Sequence, residues 1–181
     1  MTKTKQLLDN YRSHIELPWQ QGKSAQQRVI FCVYPEYTER RFQANIGEFE
    51  LATKQADHGW ARYDMSDTFS SWLGSQKYKT KYFRSPESLG NLTKKFPNFI
   101  KAQFTEFCSS HVIGSNDVVA VSGIGTLFGF VKVKEIIELI APLVPGRLVV
   151  FFPGSYDNNN YRLLDGYDGW GYLAIPITSD Q

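Results

Sequence analysis

The segment 116–157, NDVVAVSGIGTLFGFVKVKEIIELIAPLVPGRLVVFFPGSYD, constrains the fold more than any other stretch of the chain. Residues 118–121 and 148–152 are short apolar runs rich in β-branched and aromatic side chains. Between them Val133, Ile136, Ile137, Ile140 and Val144 recur at helical spacing. Two strands without a polar face, joined by a helix, are the pattern of a βαβ unit whose parallel strands are covered on both sides. Pro153 and Gly154 read as an abrupt stop after the second strand, and 153–157 as a turn.

The remaining segments fit around that unit. Residues 3–16 carry Leu7, Leu8, Tyr11 and Ile15 on one helical face, and Pro18 ends the helix. Residues 28–34 (RVIFCVY) are a buried strand closed by Pro35. Thr38 is the expected cap of one helix bearing Phe42, Ile46 and Phe49, which fades near Asp57. A weaker strand follows at 59–63, then a short helix with Phe69, Trp72 and Leu73, capped by Asp64 or Ser66. Pro97 suits the first turn of a helix carrying Ile100, Phe104, Phe107 and Cys108. Residues 157–171 read as a Tyr/Asn/Asp/Gly-rich loop, and 172–177 as a last strand placed at an edge by Pro176. Alternating strands and helices predict one three-layer α/β/α domain over 1–181. Its sheet is expected to be mostly parallel and Rossmann-like, with about five strands, in an order compatible with a degenerate P-loop relative.

The chemistry-bearing patterns that such a sheet often carries are missing. After the first strand, residues 34–37 (YPEY) lack the glycines and lysine of a P-loop. After the third, Ser122 to Gly129 spaces its glycines one residue off the dinucleotide fingerprint, and Ser122 is not in a G-x-S-x-G elbow. His14, His58 and His111 share no spacing with one another, and no H-x-x-x-H, C-x-x-C or D-x-D pattern offers metal ligands. Cys32 and Cys108 lie in apolar runs, as reduced core thiols do. No catalytic residue, cofactor or metal is therefore expected. With no apolar stretch of about 20 residues and no signal-like N-terminus, the reading is a cytoplasmic protein.

Two surfaces stand out. Lys77, Lys79, Lys81, Arg84, Lys94, Lys95 and Lys101 oppose the single acid Glu87 over 75–101, interleaved with Tyr78, Tyr82, Phe83 and Phe96. This basic excursion reads either as a solvated surface or as a nucleic-acid contact through Lys77, Lys79, Lys81, Arg84, Lys94 and Lys95. The formal net charge of +2 gives no general argument for nucleic acid or membrane. Tyr156, Asp157, Tyr161, Arg162, Tyr167 and Trp170 form the second candidate, a partner-binding loop rich in the residue types that anchor interfaces.

The phrase Phe152-Pro153-Gly154-Ser155-Tyr156-Asp157, then Tyr161-Arg162-Leu163-Leu164 and a closing strand, resembles the C-terminal half of the BrxB family of bacteriophage exclusion (BREX) systems. The strand ending in Ser122-Gly123-Ile124-Gly125 is similar to that family's strand and glycine turn. The resemblance covers roughly 116–177, and differs in the closing strand, where Trp170-Gly171-Tyr172-Leu173 stands for an Asn-Tyr-Tyr-Arg-like stretch. It implies a non-catalytic anti-phage component, an adaptor or scaffold for another BREX protein. The PglZ-like phosphatase-fold protein is the first candidate, with the large ATPase and the methyltransferase beside it. The alternatives from the residues themselves are a nucleic-acid-binding module or a cryptic nucleotide binder or enzyme.

Overall fold

The computed structural model describes residues 2–77, 79–90, 93–166 and 169–180. Its strands are β1 (Val29–Tyr34), β2 (Gly59–Asp64), β3 (Asp117–Ser122), β4 (Arg147–Asp157), β5 (Asn160–Leu163), β6 (Trp170–Gly171) and β7 (Ile175–Ile177). The helices are α1 (Lys3–Ile15), α2 (Glu39–Ala44), α3 (Ile46–Gln55), α4 (Thr68–Gly74), α5 (Lys79–Arg84), α6 (Phe96–Ser110) and α7 (Val133–Ile140). The fold is mixed α/β around an open sheet of seven strands among the described residues, where about five were expected.

The main path runs β2-β3-β4-β1-β7, and its four pairings are parallel. The β4–β5 and β5–β6 pairings are antiparallel and form a ribbon that leaves this path. The order is not that of the dinucleotide-binding fold, in which the first strand lies beside the second. Here β1 lies between β4 and β7, so the Rossmann-like label does not carry over.

Alternation along each strand distributes side chains to two apolar layers. Val29, Phe31, Val119, Val121, Leu148, Val150 and Phe152 face α4, α6 and α7. Ile30, Cys32, Val118, Ala120, Val149 and Phe151 face α1, α2 and α3. On the latter side the Tyr11 hydroxyl lies 2.6 Å from the Thr53 hydroxyl, which donates to the Phe49 carbonyl at 2.8 Å, so α1 is tied to α3 through a buried, fully paired bond.

Four local expectations change. The single helix after Thr38 is two, broken at Asn45, whose side-chain amide donates to the Arg41 carbonyl instead of continuing the turn. Thr38 is no side-chain cap; its hydroxyl donates to the Pro35 carbonyl. Asp64 and Ser66 do not cap α4, whose first flanking residue is Asp67. Most consequentially, β4 does not stop at Pro153-Gly154 but runs eleven residues to Asp157. Pro153 has no N–H to give, and it sits where β4 leaves its parallel partners, with its carbonyl accepting from Leu164 N at 2.8 Å. Gly154 then lies against β5, where an added Cβ would meet the Arg162 backbone. Asn158 and Asn159, both at positive φ (48° and 62°), make the two-residue turn into β5.

Candidate interaction surface at the carboxyl end of the sheet

Open α/β sheets bind ligands outside the carboxyl ends of their parallel strands. In this chain those ends are crossed by a line of side-chain hydrogen bonds. The Tyr34 hydroxyl at the end of β1 donates to Glu39 Oε2 at 2.5 Å, and Gln43 Nε2 donates to Glu39 Oε1 at 2.7 Å. Arg62 in β2 donates from Nη2 to Gln43 Oε1 at 2.9 Å and from Nε to Ser122 Oγ at 3.2 Å. Asp64, 3.9 Å from the Arg62 guanidinium, accepts from both the backbone N–H and the hydroxyl of Ser66. Burial, then the bond to Glu39 and its charge, pushes the Tyr34 phenol well above its ordinary range. Ser122 is fully buried and engaged by Arg62.

The glycine turn after β3 serves packing. Gly123 adopts φ 78°, and a Cβ there would meet Ser66 and Asp64; Gly125 lies against Pro153 and Leu164. The turn enters a 3-10 stretch, Ile124–Leu127, rather than α7 directly. Nearby space is small. A void of about 10 Å³ beside Tyr34, Pro35, Lys3 and Ser179 has room for about one water. A cleft of about 160 Å³ between Tyr63, Asp64, Asp67, Phe99 and Gln103 falls below the roughly 300 Å³ at which small-molecule sites begin. Among the described residues, no three His, Cys, Asp or Glu side chains group as metal ligands. The Cys32 thiol is buried in β1 and pushed far up by that burial.

The ribbon sorts the second set of candidates. Its register pairs Ser155 with Arg162, Tyr156 with Tyr161 and Asp157 with Asn160. Period-two alternation turns Tyr161 inward: it is fully buried, its hydroxyl donates to the Ala174 carbonyl at 2.8 Å, and its ring meets Phe31 edge-on at 4.5 Å. This corrects its place as a partner contact; Tyr161 is core. Trp170 is half-buried, with its ring against Phe31 and Phe152, both at 5.9 Å, so most of it is also committed. Asp157 and Arg162 are exposed. Tyr156 is half-buried, with its hydroxyl donating to Asn159 Oδ1 at 3.1 Å. Tyr167 lies outside the described residues.

Beside this ribbon lies an apolar feature that residue reading passed over. Phe128 and Phe130 are 47% and 40% exposed, unusual for rings of their size. Phe130 stacks on Phe69 with centroids 3.8 Å apart. Phe128 lies against Gly166 on the ribbon's return, where a Cβ would come within 3.1 Å of its ring. The signal of this feature in the sequence is Phe-Gly-Phe at 128–130, embedded in a glycine-rich turn.

In the basic excursion, Lys77, Lys79, Lys81, Arg84, Lys94 and Lys95 are all exposed, as is Phe83. Phe96 is different: it is fully buried at the start of α6, packed on Trp72 and Phe69, and so is no stacking platform for a base. Tyr78 lies outside the described residues.

A family model described as BREX protein BrxB matches residues 62–174, more than half of the chain and well beyond the 116–177 in which the resemblance is readable by eye. The match includes the end of β2, the basic excursion, α6 and the ribbon. No curated protein and no solved structure matches the chain.

Proposed function

Because the chain belongs to the BrxB family, and so to the components of BREX phage-defence systems, we propose that it works there as a non-catalytic adaptor. The surface we assign to its partner is the outward face of the ribbon, with Tyr156, Asp157 and Arg162, together with Phe128 and Phe130. The observation that carries this reading is the exposed Phe128 against the ribbon's return, with the exposed Phe130 two residues on, inside the segment shared with the family. Interface anchors are typically aromatic residues ringed by polar ones, and Asp157 and Arg162 supply such a rim. The occupied carboxyl ends of the strands support a binding role over a chemical one. The partner favoured is the PglZ-like protein, with the large ATPase and the methyltransferase as the other members to be tried.

The test is co-purification with a PglZ-like BREX protein, using Phe128→Ala/Tyr156→Ala and Lys94→Ala as surface variants. An anchor truncation of about 2 kcal/mol weakens binding roughly 30-fold. The reading predicts such a loss for the double variant and near-native binding for Lys94→Ala. Unchanged binding of the double variant removes this surface from the interface.

A second reading, nucleic-acid binding through the basic 77–101 segment, draws support from the exposure of the six candidate cations Lys77, Lys79, Lys81, Arg84, Lys94 and Lys95. It predicts DNA or RNA binding that weakens steeply with salt, since each neutralised phosphate releases a counterion. No binding at low ionic strength rejects it.

A further inference from the structure

At the opposite, amino end of the sheet two arginines stand side by side. The parallel register pairs Val29 with Leu148, so the residues before them, Arg28 and Arg147, are neighbours across the β1–β4 ladder. Both guanidiniums are held by backbone carbonyls. Arg28 Nη1 donates to Pro145 O at 2.6 Å, and Arg147 donates to Gly146 O at 3.3 Å and Gln20 O at 3.2 Å. The Arg147 guanidinium lies 4.7 Å over the Trp19 ring, which itself stacks on His58 at 3.7 Å.

Among the described residues no carboxylate lies within ion-pair distance of this corner. The ion pairs among the described residues are Arg12–Asp9, Lys54–Glu50, Arg62–Asp64 and Lys134–Glu138, and none of them reaches Arg28, Arg147 or Lys23. The groups instead raise one another's energy. Burial and then the charge of Arg28 lower the pKa of Arg147; burial, Lys23 and Arg147 lower that of His14. Arg28 Nε, moreover, is a buried donor with no hydrogen-bond partner. Buried donors are almost always paired, and an unpaired one marks a place where a ligand atom would be favourable. Arginine's planar fork suits the oxygens of a carboxylate or phosphate, and two held guanidiniums, with the charge of Lys23 felt at the same His14, favour the more highly charged of the two.

We propose that Arg28, with Arg147 and Lys23 beside it, forms a binding site for a phosphate-type oxyanion, about one sheet length from the ribbon. Arg28 is the principal ligand through its Nε side, Arg147 holds the field, and Lys23 closes the site from the preceding loop. The site is independent of the adaptor reading: loss of one leaves the other standing.

The experiment is thermal melting of the whole chain in inorganic phosphate, with chloride and acetate at matched ionic strength as references. Wild type, Arg28→Gln, Arg28→Lys and Lys23→Gln are compared. A ligand bound only by the folded state, at about ten times its dissociation constant, raises Tm of a chain this size by roughly 3–5 °C. That rise is expected in phosphate for wild type, reduced in Lys23→Gln and Arg28→Lys, and absent in Arg28→Gln. Phosphate also stabilises proteins generally by exclusion from their surface, so an undiminished rise in Arg28→Gln overturns the site. Equal melting in phosphate and chloride overturns it, and so does an acetate effect as large as that of phosphate. Should Arg28→Gln fail to fold, the half-buried loop variant Lys23→Gln decides: an unreduced rise there counts against the proposal.

Discussion

Exchanging one hydrogen for a methyl group at two glycines should have opposite effects, and the difference tests the account of the ribbon. At Gly154 the antiparallel register places β5 so close that an added Cβ would stand 3.0 Å from both Leu164 N and the Arg162 carbonyl carbon, and closer still to the Arg162 oxygen. Ordinary carbon contacts lie at about 3.5–4.0 Å, so β5 would have to retreat by about 0.5 Å at the carbon and by more at the oxygen. Overpacking of this kind costs about 1–3 kcal/mol, and loss of the Leu164 N–H to Pro153 carbonyl bond adds about 1–3 kcal/mol. With partial relaxation, Gly154→Ala should cost about 2–4 kcal/mol, or a drop in Tm of roughly 5–15 °C for a chain of this length. Gly47, in the first turn of α3, has nothing within 4 Å of a built Cβ. Gly47→Ala should leave stability unchanged or raise it by up to about 1 kcal/mol, by removing backbone freedom from the unfolded chain. Both follow from thermal and urea melts monitored by circular dichroism. A Gly154→Ala variant that melts within about 1 °C of wild type would refute the close approach of β4 and β5.

Two further outcomes follow from the same structure. Tyr161→Phe strips the buried Ala174 carbonyl of its donor and should cost about 1–3 kcal/mol in urea melts; because the ring is core, affinity for the partner should not change, and a selective loss of binding at native stability would return Tyr161 to the interface. His14 is held below its ordinary value of 6.5 by burial, Lys23 and Arg147, so the unfolded chain takes up the proton first as pH falls; stability is therefore full above about pH 6.5 and declines below it, and His14→Asn should flatten that decline, whereas parallel pH profiles would count against it.

How much of this was legible beforehand depends on what each segment has to satisfy. The β3–α7–β4 unit is plain because strands covered on both faces need uninterrupted apolar runs, and 118–121 and 148–152 supply them. The edge position of the last strand follows from Pro176, and among the described strands β7 pairs with β1. The ribbon is not legible, since β5 is half outward and reads Asn-Tyr-Arg-Leu, a pattern indistinguishable from loop without a partner strand. Pro153-Gly154 misleads for a related reason. Both residues are turn formers in isolation, and only the change of partner along β4 makes a missing N–H and a missing Cβ useful. Tyr161 and Trp170 look like interface anchors from composition, and only the register shows that they point toward Phe31. Phe128 and Phe130, conversely, would be counted as core by residue type. The arginine pair is invisible in sequence, because 119 positions separate its members and only the parallel ladder brings them together.

The continuity of β4 also has a mechanical meaning. One strand carries the ribbon at its far end and, at its near end, lies between β1 and β3 in the middle of the sheet. A protein that grips the ribbon therefore grips the centre of the molecule rather than an appendage. Tension applied there would run along β4 and load its two parallel ladders in shear, with many hydrogen bonds sharing the force at once. A docking surface anchored on the central strand in this way needs little order to be created on binding.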